Sequence, residues 1–167
     1  GLGEKGELSK EKVTKLGGDI VGKLSAKQIK DISISTDGVG ASNHEFAAQL
    51  AHGSSLRSHQ FTKYMSTKPE VKKISFDVES TKKVKKAYQQ FKAIEKGVFL
   101  ARDLTSEVAT EMTPVDFANA AKALAKLGVE IKILEPAKLK ELGMGALEAV
   151  GRGSAQGARL VVAHYKG

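Results

Sequence analysis

The sequence predicts an α/β fold made of two small blocks joined by a long helix. Three observations carry this reading. Short runs of alternating apolar residues take turns with stretches of helical spacing. One amphipathic stretch, about residues 80–104, is longer than any other. A sharp helix start then stands at Thr113-Pro114. The order is α-β-α-β, the long helix, then α-β-α-β. Strands that alternate with helices imply largely parallel sheets.

Each element has a local reason. Ser9 caps a helix over about residues 10–27, where Val13, Leu16, Ile20, Val21 and Leu24 recur at helical spacing. Gly17, Gly18 and Gly22 either weaken that helix or let it pack closely. Ile32 and Ile34 alternate with polar residues and predict a strand near 29–35, with turn residues at Asp37-Gly38-Val39-Gly40. A second helix is expected over about 43–56, with Phe46, Ala47, Leu50 and Ala51 on one face, then a loop from Arg57 to Pro69. Ile74, Phe76 and Val78 mark the strand at 71–78. The long helix carries Val84, Tyr88, Phe91, Ile94, Val98 and Leu100 as its apolar stripe.

Thr113 caps the next helix, Pro114 takes its first position and Asp116 completes a capping box. That helix ends at Gly128, and Val129, Ile131 and Ile133 form a strand. Pro136 starts a short helix that stops at Gly143. A Gly-rich stretch runs from Gly143 to Gly157, and the last strand is Arg159 to Tyr165. Each block has few strands for a buried parallel sheet, and the chain opens on Gly1-Leu2-Gly3 without a Met. Further sequence is therefore expected at one end or both.

Composition narrows the function classes. Of 167 residues, 41% are hydrophobic and 28% charged, a globular balance. A spanning helix needs ~20 apolar residues in a row, and no clean run here is longer than Leu160-Val161-Val162-Ala163. No membrane partner and no secretory signal are expected. Cysteine is absent, which excludes disulfides, thiolate zinc sites and a cysteine nucleophile, and fits a cytoplasmic protein. The net charge of +8 is uneven: residues 1–100 hold 18 Lys and Arg against 11 Asp and Glu, and residues 101–167 hold 9 against 8. Lys82, Lys83, Lys85 and Lys86 form the densest run, with Lys68, Lys72 and Lys73 upstream. Such a row either contacts phosphate, as in a DNA- or nucleotide-binding module, or is a solvated helix face.

Other motifs are weaker. Gly1-Leu2-Gly3-Glu4-Lys5-Gly6 matches the dinucleotide fingerprint but follows no strand. Gly17 to Leu24 approaches a P-loop, but Leu24 stands where Ser or Thr would bind magnesium. His44, His52 and His59 are spaced by eight and seven, without the tight pairing of a zinc site, and His164 stands alone. Asp103, Glu107 and Glu111 repeat every four residues and would line one edge of a continuous helix, with Asp116 beyond. Ser154 lacks the surroundings of a nucleophile elbow and reads as a turn residue. The residues alone assemble no catalytic site and no metal site.

A family resemblance adds to this. Ala101-Arg102-Asp103-Leu104-Thr105-Ser106-Glu107, Met112-Thr113-Pro114 and Phe117-Ala118 resemble the leucyl aminopeptidase (cytosol aminopeptidase) family. Leu142-Gly143-Met144-Gly145-Ala146-Leu147 matches its GMGAL signature, and Val150-Gly151-Arg152-Gly153-Ser154 its VGxGS segment. Arg159 to Gly167 matches the strand that follows. Gly1-Leu2-Gly3 and Leu56 to Tyr64 are similar to its N-terminal domain. The chain departs from the family at Ser106, Val108, Thr110 and Gly157-Ala158, where Asn and Pro are usual.

The resemblance implies a partial macro-like N-terminal α/β domain over 1–79, a linker helix over 80–107, and the first α/β units of a metallopeptidase domain over 108–167. It implies a parent with two divalent metals, Zn or Mn, acting on peptide substrates and assembled as a hexamer, a dimer of trimers. The family's metal and catalytic motifs follow the region matched here. No catalytic residue and no metal ligand is therefore assigned to this chain, which is expected to be inactive scaffold. A purely structural role in assembly or substrate access is the remaining reading.

Overall fold

The hydroxyl of Ser9 accepts the N–H of Lys12 at 3.3 Å and starts α1, Lys10–Ala26. Strand β1, Asp31–Ser35, is followed by α2, Asn43–Ser58, β2, Lys73–Asp77, and the long α3, Thr81–Ser106. Beyond it come α4, Pro114–Lys122, a 3-10 turn at Ala123–Leu127, β3, Glu130–Leu134, α5, Pro136–Glu141, α6, Gly145–Gly151, and β4, Leu160–His164. This computed structural model describes residues 8–26, 29, 31–36, 43–67 and 73–167. The fingerprint at 1–6, the turn at 37–40, Lys68 and Lys72 lie outside the described residues. The chain divides into two compact units, Gly1–Asp103 and Leu104–Gly167.

In the first unit β1 and β2 pair in parallel, from Asp31 opposite Lys73 to Ser35 opposite Asp77. Parallel neighbours need a crossover, and α2 lies within it. Thr36 extends the ladder: its N–H and its hydroxyl both donate to the carbonyl of Asp77, each at 3.2 Å. The core is Val13 and Val21 from α1, Ile32 from β1, and Ala47, Ala48 and Leu50 from α2.

Helices α1 and α2 pack backbone against backbone. A Cβ on Gly17 would lie 2.1 Å from the carbonyl oxygen of Leu50, and one on Gly53 would lie 1.8 Å from that of Thr14. At Gly17 the two readings thus resolve in favour of close packing, whereas a Cβ on Gly18 would make only ordinary contacts. The seam is tied by Gln49 Nε2, which donates to the Thr14 hydroxyl, and by the Ser54 hydroxyl, which donates to the Gly17 carbonyl at 3.2 Å. Contacts advance together along both helices, 14 with 53 and 22 with 57, so the helices run in the same direction.

Helix α3 corrects the expected stripe. Ile94 and Leu100 are exposed, whereas Glu95 is buried. Positions 84, 88, 91, 95 and 98 follow spacings of three and four, and 94 and 100 fall off that line.

In the second unit Thr113 and Asp116 form the expected capping box, and Pro114 occupies the first position. The helix tightens into the 3-10 turn before Gly128, whose φ of 83° closes it. Strands β3 and β4 pair antiparallel, from Glu130 opposite His164 to Leu134 opposite Leu160. This corrects the largely parallel expectation. The connection between them holds two short helices, α5 and α6, not one crossover helix. Ion pairs flank the ladder, Glu135 to Arg159 at 2.8 Å and Glu130 to Lys166 at 3.1 Å. The Gly-rich stretch hides α6, because Ala146, Leu147 and Ala149 favour a helix that its terminal glycines obscure. The buried side chains of this unit are Ala118 and Leu139, while Leu127, Val150, Phe117, Leu142 and Tyr165 are exposed.

Candidate functional site

The four lysines sit on the first turns of α3, and all are exposed. Lys83 and Lys86, three apart, share a wall of a shallow depression of about 650 Å³ with His44 and Glu45 of α2. Lys82 and Lys85 are not part of that wall. Among the described residues no Phe, Tyr or Trp lines the depression, so the large rings that commonly stack on bases are missing from it.

The acids do not gather. Asp103 lies in α3, but the helix ends at Ser106, so Glu107 and Glu111 leave the predicted edge. Asp116 is occupied by its capping box. The hydrogen bonds from the Thr113 side chain, then its backbone, hold its carboxyl below the usual range. Among the described residues, no group of three or more His, Cys, Asp or Glu could hold a metal ion. The P-loop-like glycines lie within α1 and not on a loop. Ser154 sits in a turn, its hydroxyl accepting the N–H of Gln156 at 3.2 Å.

Two histidines do meet acids, by a pattern the sequence reading missed. His52 Nδ1 lies 2.8 Å from Glu95 Oε1, and its ring stacks on Phe91 with centroids 4.6 Å apart. His59 Nε2 lies 3.0 Å from Asp103 Oδ1, and its ring stacks on Phe99 at 4.4 Å. The same unit thus occurs twice: an α3 phenylalanine under the imidazole, and an α3 acid four residues later beside its nitrogen. The signal in the sequence was Glu95, four residues after Phe91 and seven after Tyr88, on an otherwise apolar face.

Glu95 is the centre of the first unit's polar interior, only 5% exposed. The Ser55 hydroxyl donates to its Oε2 at 2.8 Å, and the Tyr88 hydroxyl reaches the same oxygen at 2.7 Å. A buried carboxylate is tolerated when its lone pairs are met in this way. Burial, and then the bond to Glu95, push the Tyr88 phenol up to about 12. With its oxygens engaged and its histidine stacked, Glu95 fastens α3 to α2 and presents no open face to a substrate.

Comparison with known proteins bears on both units. Residues 1–68 match the N-terminal domain model of the cytosol aminopeptidase family, and residues 99–167 match its catalytic domain model. A probable cytosol aminopeptidase 1 of Shewanella oneidensis is 37% identical over the whole chain, which covers 33% of that protein. A probable cytosol aminopeptidase of Bradyrhizobium is 37% identical, again over the whole chain and 34% of its own length. The chain therefore spans about a third of the curated relatives it matches. Among solved structures, the bottromycin maturation enzyme BotP in complex with Mn superposes with a TM-score of 0.75 at 28% identity, over 99% of this chain and 35% of that one. A tomato leucine aminopeptidase variant superposes with a TM-score of 0.75 at 23% identity, over 96% and 34%, and shares the fold.

Proposed function

The chain belongs to the cytosol aminopeptidase family, and from that premise we propose that it is a scaffold portion of a metal-dependent aminopeptidase. The parent removes N-terminal residues from peptides, leucine by preference, in the cytoplasm. The observation that carries this reading is the ordered pair of matches, N-terminal domain model then catalytic domain model, on one chain. Residues 1–79 form part of a macro-like domain, 80–107 the linker helix and 108–167 the start of the catalytic domain. The unmatched interval between the two family models falls largely on α3, which supports the linker reading.

The parent's chemistry rests on two divalent metals, Zn or Mn. The acids and histidines described here do not fit such a centre, so no step is derived through it. The metal ligands belong to other residues of the parent. The relative named as an Mn complex supports the metal class. The apolar side chains exposed on the second unit, Val150 and Leu127 above all, support completion of that domain by further chain. Assembly as a hexamer is part of the proposal and rests on family membership. Nucleic-acid contact through Lys82, Lys83, Lys85 and Lys86 draws no support from the relatives, which are named as peptidases.

The test is release of p-nitroaniline from leucyl p-nitroanilide, with Zn or Mn added. The parent polypeptide turns the substrate over, and the 167 residues alone do not. Metal-dependent turnover by the 167 residues, or none by the parent, overturns the reading.

A further inference from the structure

We propose that the cleft where α1, α2 and α3 meet is a binding site for a phosphate-sized oxyanion, with Arg57 and Lys15 as its ligands. The cleft has a volume of about 490 Å³ and lies within the first unit. Among the described residues three cations line it, Lys15, Arg57 and Arg102, against one carboxylate, Asp19.

One of the three charges is already committed. The Arg102 guanidinium donates to the carbonyl of Leu56, in the last turn of α2, and so meets the negative pole of that helix. Asp103, next to Arg102 in the chain, is engaged by His59. Lys15 and Arg57 remain, and neither is ion-paired with another described residue.

Arg57 is also held in place. A Cβ built on Gly22 would lie 3.2 Å from Arg57 Nε and 3.5 Å from Nη2. The absent side chain at Gly22 thus leaves a seat on α1 for the guanidinium. Gly17 and Gly53 let the two helices approach, which brings Lys15 and Arg57 to one opening. A planar fork fixed on one face and open on the other suits two parallel bonds to phosphate oxygens. The Lys15 ammonium, lining the same cleft, supplies a second positive charge. The lysine row on α3 borders a shallow depression at Lys83 and Lys86, and no glycine seats any of its ammonium groups.

Free phosphate and a phosphate ester share this chemistry. The test is an amide NMR titration of the whole chain with inorganic phosphate and, in parallel, with O-phosphoserine. Chloride holds the ionic strength constant. Saturable shifts at Gly18, Gly22, Gly53 and Arg57 with either probe are expected, and tighter binding of one names the source. Arg57→Gln weakens binding about tenfold. Gly22→Leu fills the seat without changing any charge and weakens it comparably, which a diffuse electrostatic attraction would not do. Replacing Lys82, Lys83, Lys85 and Lys86 by Gln leaves affinity within about twofold. No saturable shift, unchanged affinity in Arg57→Gln and Gly22→Leu, or shifts centred on 82–86 overturns the site.

Discussion

Replacing Gly53 by Ala tests the helix seam directly. The added Cβ would lie 1.8 Å from the Thr14 carbonyl oxygen, 2.7 Å from its carbon and 3.0 Å from its Cα. All three are backbone atoms, so no side chain can swing aside. Ordinary contact needs ~3.5 Å, so α1 must retreat by more than an ångström along the seam. Overpacking of this kind costs ~1–3 kcal/mol. The retreat also stretches the Gln49–Thr14 and Ser54–Gly17 hydrogen bonds, each worth ~1 kcal/mol. Against this, Ala gains ~1 kcal/mol over Gly in helix propensity. The net is a loss of about 2–4 kcal/mol. Gly97→Ala is the control, since nothing lies within 4 Å of its Cβ; it stabilises by ~0.5–1 kcal/mol. Urea unfolding followed at amides of the first unit reads both, free of the second unit's transition. The reasoning fails if Gly53→Ala lies within ~0.5 kcal/mol of the unsubstituted chain, a midpoint shift of under ~0.5 M urea, or if Gly97→Ala is as costly.

Further expectations concern ionisable groups and a cap. Ultraviolet titration should place the Tyr88 phenol near 12. Its folded value lies above the unfolded value of ~10, so its contribution to stability is complete below pH ~10 and is lost as pH rises toward 12. Glu95→Gln should bring that midpoint down without restoring it to 10, because burial is the larger cause, and should cost ~2 kcal/mol by denaturation; an unmoved midpoint removes Glu95 from the account. Thr113→Ala should destabilise the second unit by ~1 kcal/mol. It should also flatten the acid limb, since the Asp116 contribution is present above its unfolded value near 4 and fades as pH falls through its depressed folded value. An unchanged acid limb in that variant rules the cap out as the cause.

Much of the fold was legible because local signals settled it. Ser9, the Thr113–Asp116 box and Gly128 fixed helix ends, and alternation at Ile32, Ile34, Ile74 and Phe76 fixed strands. What failed were relations between distant elements. The direction of β4 against β3 depends on how α5 and α6 fold the chain back, and no residue pattern within β4 records it. The spacing of the histidines to one another carries no information on their partners, which lie on α3 at Phe91, Glu95, Phe99 and Asp103. Glu95 is an acid on an apolar stripe, and nothing local in the sequence marks it as buried. The lysine row is the loudest compositional signal, yet only Lys83 and Lys86 border a depression, and a shallow one. The Arg57 seat needed Gly22, 35 positions away, to become visible.

The reach of the first unit's polar bonds bears on how the chain folds as it is synthesised. The bonds that tie its elements join residues 35 apart at Gln49–Thr14 and 43 to 46 apart at His52–Glu95, His59–Asp103 and Arg102–Leu56. Loop-closure entropy grows only with the logarithm of length, so these closures differ little in cost and their order follows emergence from the ribosome. The seam between α1 and α2 can close once residue 57 is out. His52 and Ser55 must then wait in water, unpaired with their carboxylate, until about 40 more residues have appeared, which at ~5–20 residues per second is a delay of a few seconds.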